Sequence, residues 1–504
     1  MASLDQLDYS TLAILFLLVV SCFFVAVAKG FRSARMVDRT PPSPPALPII
    51  GNLHQLGNGH HLHRRLQVLA HTYGPLFLLR LGSVPTLVVS SASMADAVLR
   101  TQDHVFCSRS QPYTAHGTLY GCRDIAFSPY GERWRQLRRI AVVHLLSARR
   151  VDSFRKLREE EVASFLERIR SVREEAVNVT ESLVGLTSTV VCRAAFGNKL
   201  GGMEAGMIHD IIEEVSALLG TIAVSDVFPR LRWVDWATGL DARLKRTATK
   251  LDDILERTLE EHETSRGGNN NQAPDLLDDL LSILMDGYQG FKLDRIDVKA
   301  LILDMFLAGT DTSFKTIEWT MAELIKNPRE MEKVQAQVRQ VAGAQGGVRE
   351  EELGKMDMLR AAIKEALRLH PPVALITPRE TIQDTQLHGY HIQAKTRVVI
   401  NAWAVGRDNE SWENANEFRP ERFMGSAIDY GGKDPRFIPF GGGRRGCPGV
   451  AFGTRLVELT LANMLYHFHW ELPDCQDPES FEVVESSGFS PGLKSSLVLA
   501  VKSI

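Results

Sequence analysis

The sequence predicts a mainly α-helical fold with small β-sheets, preceded by one N-terminal transmembrane helix. Three observations carry that expectation. Helical apolar periodicity dominates residues 60 to 470. Strand-like character is confined to a few short runs. One uncharged apolar stretch, Leu12 to Ala28, stands near the start. The 504 residues, 44% hydrophobic and 24% charged, have the composition of a packed globular protein. That length accommodates several domains or one large fold. The absence of internal repeats favours one large helix-rich domain over a string of modules. A formal charge of −3 and a pI near 6.6 give no global attraction to nucleic acid, and no such partner is expected.

The elements follow in order. Leu12–Ala28, "LAILFLLVVSCFFVAVA", is 17 residues long, at the short end for a membrane-spanning helix. Asp5 and Asp8 lie before it, and Lys29, Arg32, Arg35 and Arg39 after it. Positive charge on the downstream side places the body in the cytosol, whereas a cleaved secretory signal carries its positive charge upstream. Residues 1–33 are therefore expected to be a retained anchor. Residues 34–59 contain "PPSPPALPIIGNLHQLG", a proline-rich hinge that reads as a semi-rigid spacer. Residues 60–504 form the body. Its clearest helical runs are Met94–Thr101, Arg133–Leu146, Ser153–Arg170, Leu244–Thr264 and Lys299–Lys326. Strands are expected at Leu76–Leu81, Thr86–Val89, Thr385–Ile392, Arg397–Asn401 and Ser496–Val501. Arg266–Pro274, "RGGNNNQAP", reads as a loop between helices.

Cysteines at 22, 107, 122, 192, 447 and 475 show no paired spacing, so neither a disulfide framework nor a zinc site is expected. Most read as small buried hydrophobes. Cys447 differs because of its surroundings, "FIPFGGGRRGCPG", residues 437–449. Gly441, Gly442 and Gly443 permit tight turns and close approach to a flat ligand. Gly449–Leu465 is apolar enough to be a buried helix, with Pro448 suited to its first turn. A cysteine at a helix N-terminus beside Arg444 and Arg445 favours the thiolate, as nucleophile or as metal ligand. No histidine follows in sequence before His467 to act as a base, and a metal ligand needs none.

The spacing Phe440-x-x-Gly443-x-Arg445-x-Cys447-x-Gly449 resembles the haem-binding signature of the cytochrome P450 family. Further family motifs follow the right order, and the resemblance covers essentially the whole chain. It implies the P450 fold, a helix-rich triangular prism around buried haem b (iron protoporphyrin IX), and makes 60–504 a haem-thiolate monooxygenase domain. Cys447 would then be the axial ligand of the haem iron. Phe440 would pack near its sulfur, and Arg445 would pair with a propionate.

Three more motifs gain meaning from the resemblance. "AGTDTS", 308–313, sets residues of poor helix propensity mid-helix, where a functional kink or an ordinary bend is expected. By resemblance Ala308 and Gly309 open space for oxygen, and Asp311 and Thr312 are the alcohol–acid pair that relays protons. In "KEALRLHPP", Glu365 and Arg368 share a helix face. With Arg422 of "FRPERF" they resemble the buried triad that locks the fold beneath the haem. In "ERWRQLRR", Trp134 and Arg138 fall at i and i+4 and resemble propionate contacts, as does Arg379 of "TPRE". Arg133, Arg135 and Arg139 point elsewhere, to a solvated face or a basic patch for an acidic electron donor. His60, His61 and His63 lack Cys or acidic partners nearby and are not expected to bind metal. Asn178-Val-Thr and Asn409-Glu-Ser match glycosylation sequons that a cytosolic body leaves unmodified.

The resemblance implies insertion of one atom of O2 into a small apolar or aromatic plant specialised metabolite. Electrons would come from NADPH through cytochrome P450 reductase, at the endoplasmic reticulum membrane. Residues 106–136 resemble the grass branch that hydroxylates indole-derived compounds; a terpenoid or phenolic hydroxylase is the alternative. A haem-thiolate isomerase or dehydratase would need neither O2 nor reductase, and a non-catalytic haem binder would need no proton relay. The cavity is expected to draw on Ser110–Asp124, Met305–Thr310, Val373–Thr377 and Ser487–Pro491, without a charged anchor.

Overall fold

The computed structural model describes residues 39–503 except 58–60, 173–175, 198–204, 267–274, 289, 345, 474–476 and 478–480. The expected membrane helix, His60, Cys22, Cys475 and most of the 266–274 loop lie outside the described residues. Among those described, no helix is long and apolar enough to cross a membrane.

Ten strands are named in chain order: β1 Leu76–Leu81, β2 Val84–Val89, β3 Ser108–Arg109, β4 Ala176–Asn178, β5 Arg379–Glu380, β6 Thr385–Leu387, β7 Tyr390–Ile392, β8 Arg397–Ile400, β9 Phe468–Glu471 and β10 Val498–Ser503. They form a five-stranded sheet β1-β2-β8-β5-β3, a three-stranded sheet β4-β10-β9 and the hairpin β6-β7. Among the described residues, only β2 and β8 pair in parallel. The expected strand 385–392 is thus two strands around a turn, where His388 and Gly389 take positive φ. The described part of the hinge does not run free. Leu78 N–H donates to the Pro42 carbonyl at 2.8 Å, and Asn52 exchanges hydrogen bonds with Arg80 at 2.7 Å. Prolines lack N–H groups but keep their carbonyls, which the open edge of β1 can use.

The helices that build the site are α1 Glu132–Ile140, α2 Arg155–Ser171, α3 Val179–Phe196, α4 Ala205–Leu219, α5 Arg295–Lys326, α6 Asp357–Leu369 and α7 Val450–His467. α5 starts at a capping box in which Asp294 accepts from Asp297 N–H at 2.9 Å and Asp297 accepts from Asp294 N–H at 3.1 Å. It ends at Asn327, before Pro328, which cannot continue the same helix. It packs against α3, α6 and α7. Its far end is joined to α6 by Trp319 stacked on His370, with centroids 3.8 Å apart, while His370 meets Glu323 at 2.7 Å. The main apolar core runs through these helices, and smaller clusters lie under the sheets. Cys107, Cys122 and Cys192 are buried as expected, the last two within the main core. Asn178 uses its side chain to cap α3, accepting from Glu181 N–H at 3.1 Å.

Candidate active site

Cys447 sits two residues before the N-cap of α7. Its N–H donates to the Phe440 carbonyl at 2.9 Å, and its sulfur accepts from Gly449 N–H at 3.3 Å while facing a cavity of about 340 Å³. Pro448 precedes the N-cap and is not in the first turn. Burial pushes the Cys447 thiol up, opposed by the Gly449 N–H and by Arg138. This corrects the expectation that Arg444 and Arg445 depress it, because both turn away. Arg444 pairs with Asp103 at 2.8 Å. Arg445 donates to the carbonyls of Cys107 and Ser128, each at 2.7 Å, with its guanidinium 3.9 Å from the Trp134 ring centroid. Gly443 takes φ +65°, and a Cβ there would fall 2.1 Å from the Leu99 carbonyl oxygen. Glycine is needed here for close approach of backbone to backbone.

Four arginines line or approach one end of the cavity. Arg379 donates to Asp103 at 2.9 Å and to the Gly442 carbonyl at 2.8 Å, and its buried Nε has no partner. Arg138 donates to the Gly446 carbonyl, and Trp134 Nε1 to the Ile125 carbonyl at 3.1 Å. Arg109, which motif reading missed, donates to the Ala126 carbonyl at 2.9 Å and also lines the cavity. Burial first, then mutual repulsion, lowers Arg109 well below its ordinary value and Arg445 to about 9. An enclosed positive edge with an unpartnered guanidinium nitrogen fits the propionates of a haem whose iron meets Cys447.

α5 is one continuous helix through 308–313. Thr312 donates back to the Ala308 carbonyl at 2.8 Å, and Thr316 and Thr320 repeat the pattern one turn apart, which accommodates the hydroxyls inside the helix. Ala308, Gly309, Asp311 and Thr312 line the cavity. Gly309 also serves packing, since a Cβ there would lie 3.1 Å from Val191 of α3. Two turns on, Glu318 is 1% exposed and accepts from Thr180 and from Leu493 N–H. Burial pushes its carboxyl from 4.5 up to about 7. The folded chain therefore binds this proton more tightly than the unfolded chain. Stability is fully present below about 4.5 and falls as pH rises through about 7. Glu318→Gln is expected to recover up to roughly 3 kcal/mol at pH 8 and nothing near pH 4. Thermal unfolding at the two pH values measures this; an equal gain at both would count against it.

Glu365, Arg368 and Arg422 come together as a network. Arg368 grips Glu365 with two hydrogen bonds of 2.7 Å, and Arg422 Nε reaches Glu365 Oε1 at 2.8 Å. Arg368 also donates to the carbonyls of Gly406, Ala415 and Glu417. The pair Glu365–Arg368 is wholly buried, whereas the Arg422 side chain is 11% exposed. Of the three arginines expected on the outer face, Arg133 is instead paired with Asp297 and lies 3.9 Å from Asp294 at the start of α5. Arg135 and Arg139 are exposed.

The apolar cavity wall departs from expectation along Ser110–Asp124, of which only Leu119 contributes. Ile125 to Phe127 take over, because Asp124 accepts from Phe127 N–H at 2.8 Å and bends the chain inward. A charged group was also missed. Asp304, one turn before Ala308, lines the cavity and accepts from Ile125 N–H at 2.6 Å. Burial and then Asp124 push it well above the ordinary carboxyl range. Its i−4 spacing from Ala308 was the available signal. His61 and His63 do acquire an acidic neighbour, Glu485, but Arg64 already donates to that carboxylate at 2.8 Å.

A cavity lined by a cysteine, an alcohol–acid pair and arginines has the make-up of a haem-thiolate class of site. Residues 41–492 match the family model described as Cytochrome P450, and the chain belongs to that family. It is 48% identical to "Cytochrome P450 71A1" of Persea americana, over 96% of this chain and 99% of that protein. It is 45% identical to "Norfluorocurarine oxidase" of Strychnos sp., over 94% of each, and 44% identical to "Cytochrome P450 71A25" of Arabidopsis thaliana, over 90% and 91%. A zebra fish cytochrome P450 structure with abiraterone superposes with a TM-score of 0.72 at 25% identity, covering 88% of this chain and 99% of that one. Membership makes the chain an oxidoreductase of the monooxygenase type, with haem as its cofactor.

Proposed function

We propose that the protein hydroxylates a small apolar or aromatic plant specialised metabolite, with electrons from NADPH delivered by cytochrome P450 reductase. The observation that carries this is the Cys447 sulfur opening onto an apolar cavity that Ala308 and Thr312 also line. Bound haem would supply the activation of O2, one atom going to the substrate and the other to water. Cys447 is its ligand, and Arg445, Arg138, Trp134 and Arg379 hold its propionates, with Arg109 as a further partner. Phe440 presents the carbonyl that fixes the Cys447 backbone. The Thr312 hydroxyl, free to turn from the Ala308 carbonyl, delivers protons that Asp311 supplies. The apolar walls exclude bulk water from that transfer.

The substrate class rests on the lining and on the plant relatives, one of which is named as an oxidase. An indole-derived compound is the first choice, with terpenoids or phenolics as the alternative. Residues 1–33 anchor the chain in the endoplasmic reticulum membrane with the body in the cytosol. Spectral titration with indoles, phenolics and terpenes tests the substrate, followed by turnover with and without NADPH and reductase. Product formed without either would replace this proposal by isomerase or dehydratase chemistry. Thr312→Ala is expected to lower product per NADPH about tenfold, with peroxide released instead. Unchanged coupling would remove Thr312 from the relay.

A further inference from the structure

Lys315 lies one turn beyond Asp311 on α5, and its side chain is 2% exposed. Such burial is costly for an ammonium group unless each N–H finds an oxygen. The Lys315 ammonium has one hydrogen bond and two carboxylates at ion-pair distance, from three elements. The ammonium lies 2.7 Å from Asp311 on α5 and 3.0 Å from Glu213 on α4, and donates to the Ser490 carbonyl at 2.7 Å. Its stem runs so close to the C-terminal loop that a Cβ on Gly492 would fall 2.9 Å from its Cε. The loop is clipped to α4 in turn: Phe489 and Ser490 N–H donate to Ser216, at 3.0 and 3.2 Å. Asp311, Ser216, Phe489 and Ser490 all line the cavity, whereas Glu213 reaches the surface at 36% exposure. The lysine therefore joins the acid of the relay to both cavity elements that face it.

We propose that Lys315 is a positioning residue that holds the Asp311 carboxylate at the cavity wall. It ties that carboxylate to α4 and the 489–492 loop, so a substrate pressing on these elements sets how Asp311 serves proton transfer. This rests on the monooxygenase reading. Asp311 alone, paired with nothing, would turn toward water or the cavity. With Lys315 its position depends on where Glu213 and Ser490 stand.

Two measurements test it. In thermal unfolding of the haem-loaded protein, Lys315→Met is expected to lower Tm by several degrees, because it strands the Asp311 charge. Adding Asp311→Asn should restore most of that loss, since the double variant strands no charge; additive losses would overturn the pairing. In turnover with NADPH, reductase and indole as the probe, Lys315→Met should lower product per NADPH about tenfold with KM changed less than about twofold. Glu213→Gln, at the exposed end, should fold normally and show a smaller fall in the same direction. Wild-type coupling in both variants would overturn the positioning role. A wild-type protein that oxygenates none of the indole, phenolic and terpene probes would sink the proposed function instead, and the thermal cycle would still decide the pairing.

Discussion

Cys447→Ser is expected to give a folded protein whose reduced carbon monoxide complex lacks the red-shifted Soret band of the family. The loop does not depend on the sulfur for its shape. It is held by the Cys447 N–H on the Phe440 carbonyl and by Arg445 on the carbonyls of Cys107 and Ser128. Serine can accept the Gly449 N–H in place of sulfur, so the backbone has no reason to move. What disappears is the soft, deprotonable ligand, since a hydroxyl does not ionise in the range where a thiol does. The loss of the thiolate band should be complete while far-ultraviolet circular dichroism is unchanged. A retained band would overturn the assignment of Cys447 as ligand.

Arg368→Ala is expected to cost the largest share of stability of any single change in the triad, about 3–5 kcal/mol. It strips Glu365 of its bidentate partner and leaves the carbonyls of Gly406, Ala415 and Glu417 without a donor. Domains are stable by only roughly 5–15 kcal/mol, so haem incorporation should fail with it. Arg422→Ala should cost less, because Arg422 makes a single bond to Glu365 and its side chain is partly solvated. Urea unfolding midpoints and the haem content of purified protein give the comparison. Equal costs for the two arginines would show that burial does not govern the network.

Much of this site was legible from local pattern. Glu365 and Arg368 share a face because a helix repeats at that spacing, and Cys447 stands just before an apolar helix capped at Gly449. The five clearest helical runs were found to within a few residues, because their apolar stripes are long, whereas α3 and α4 were not picked out. Short strands were less legible: β3, β4, β5 and β9 were missed, and the 385–392 run concealed a turn. A strand of three or four residues takes its identity from its partner, here β10, and not from its own sequence.

The charges divide in the same way. Sequence alone singled out the groups that the proposed function uses, a cysteine in a glycine–arginine loop and an alcohol–acid pair on a long helix, and, for the fold, two charged residues one turn apart. It could do so because each motif is local, and backbone periodicity places its members. Only the tertiary structure decided who meets whom. Arg133 came to pair with Asp297, Arg445 turned from the sulfur to three backbone carbonyls, and Lys315 came to join Asp311 to Glu213 and Ser490. Those pairings span many residues of chain. They are selected by the cost of burying a charge without a partner, which exists only once the helices have packed.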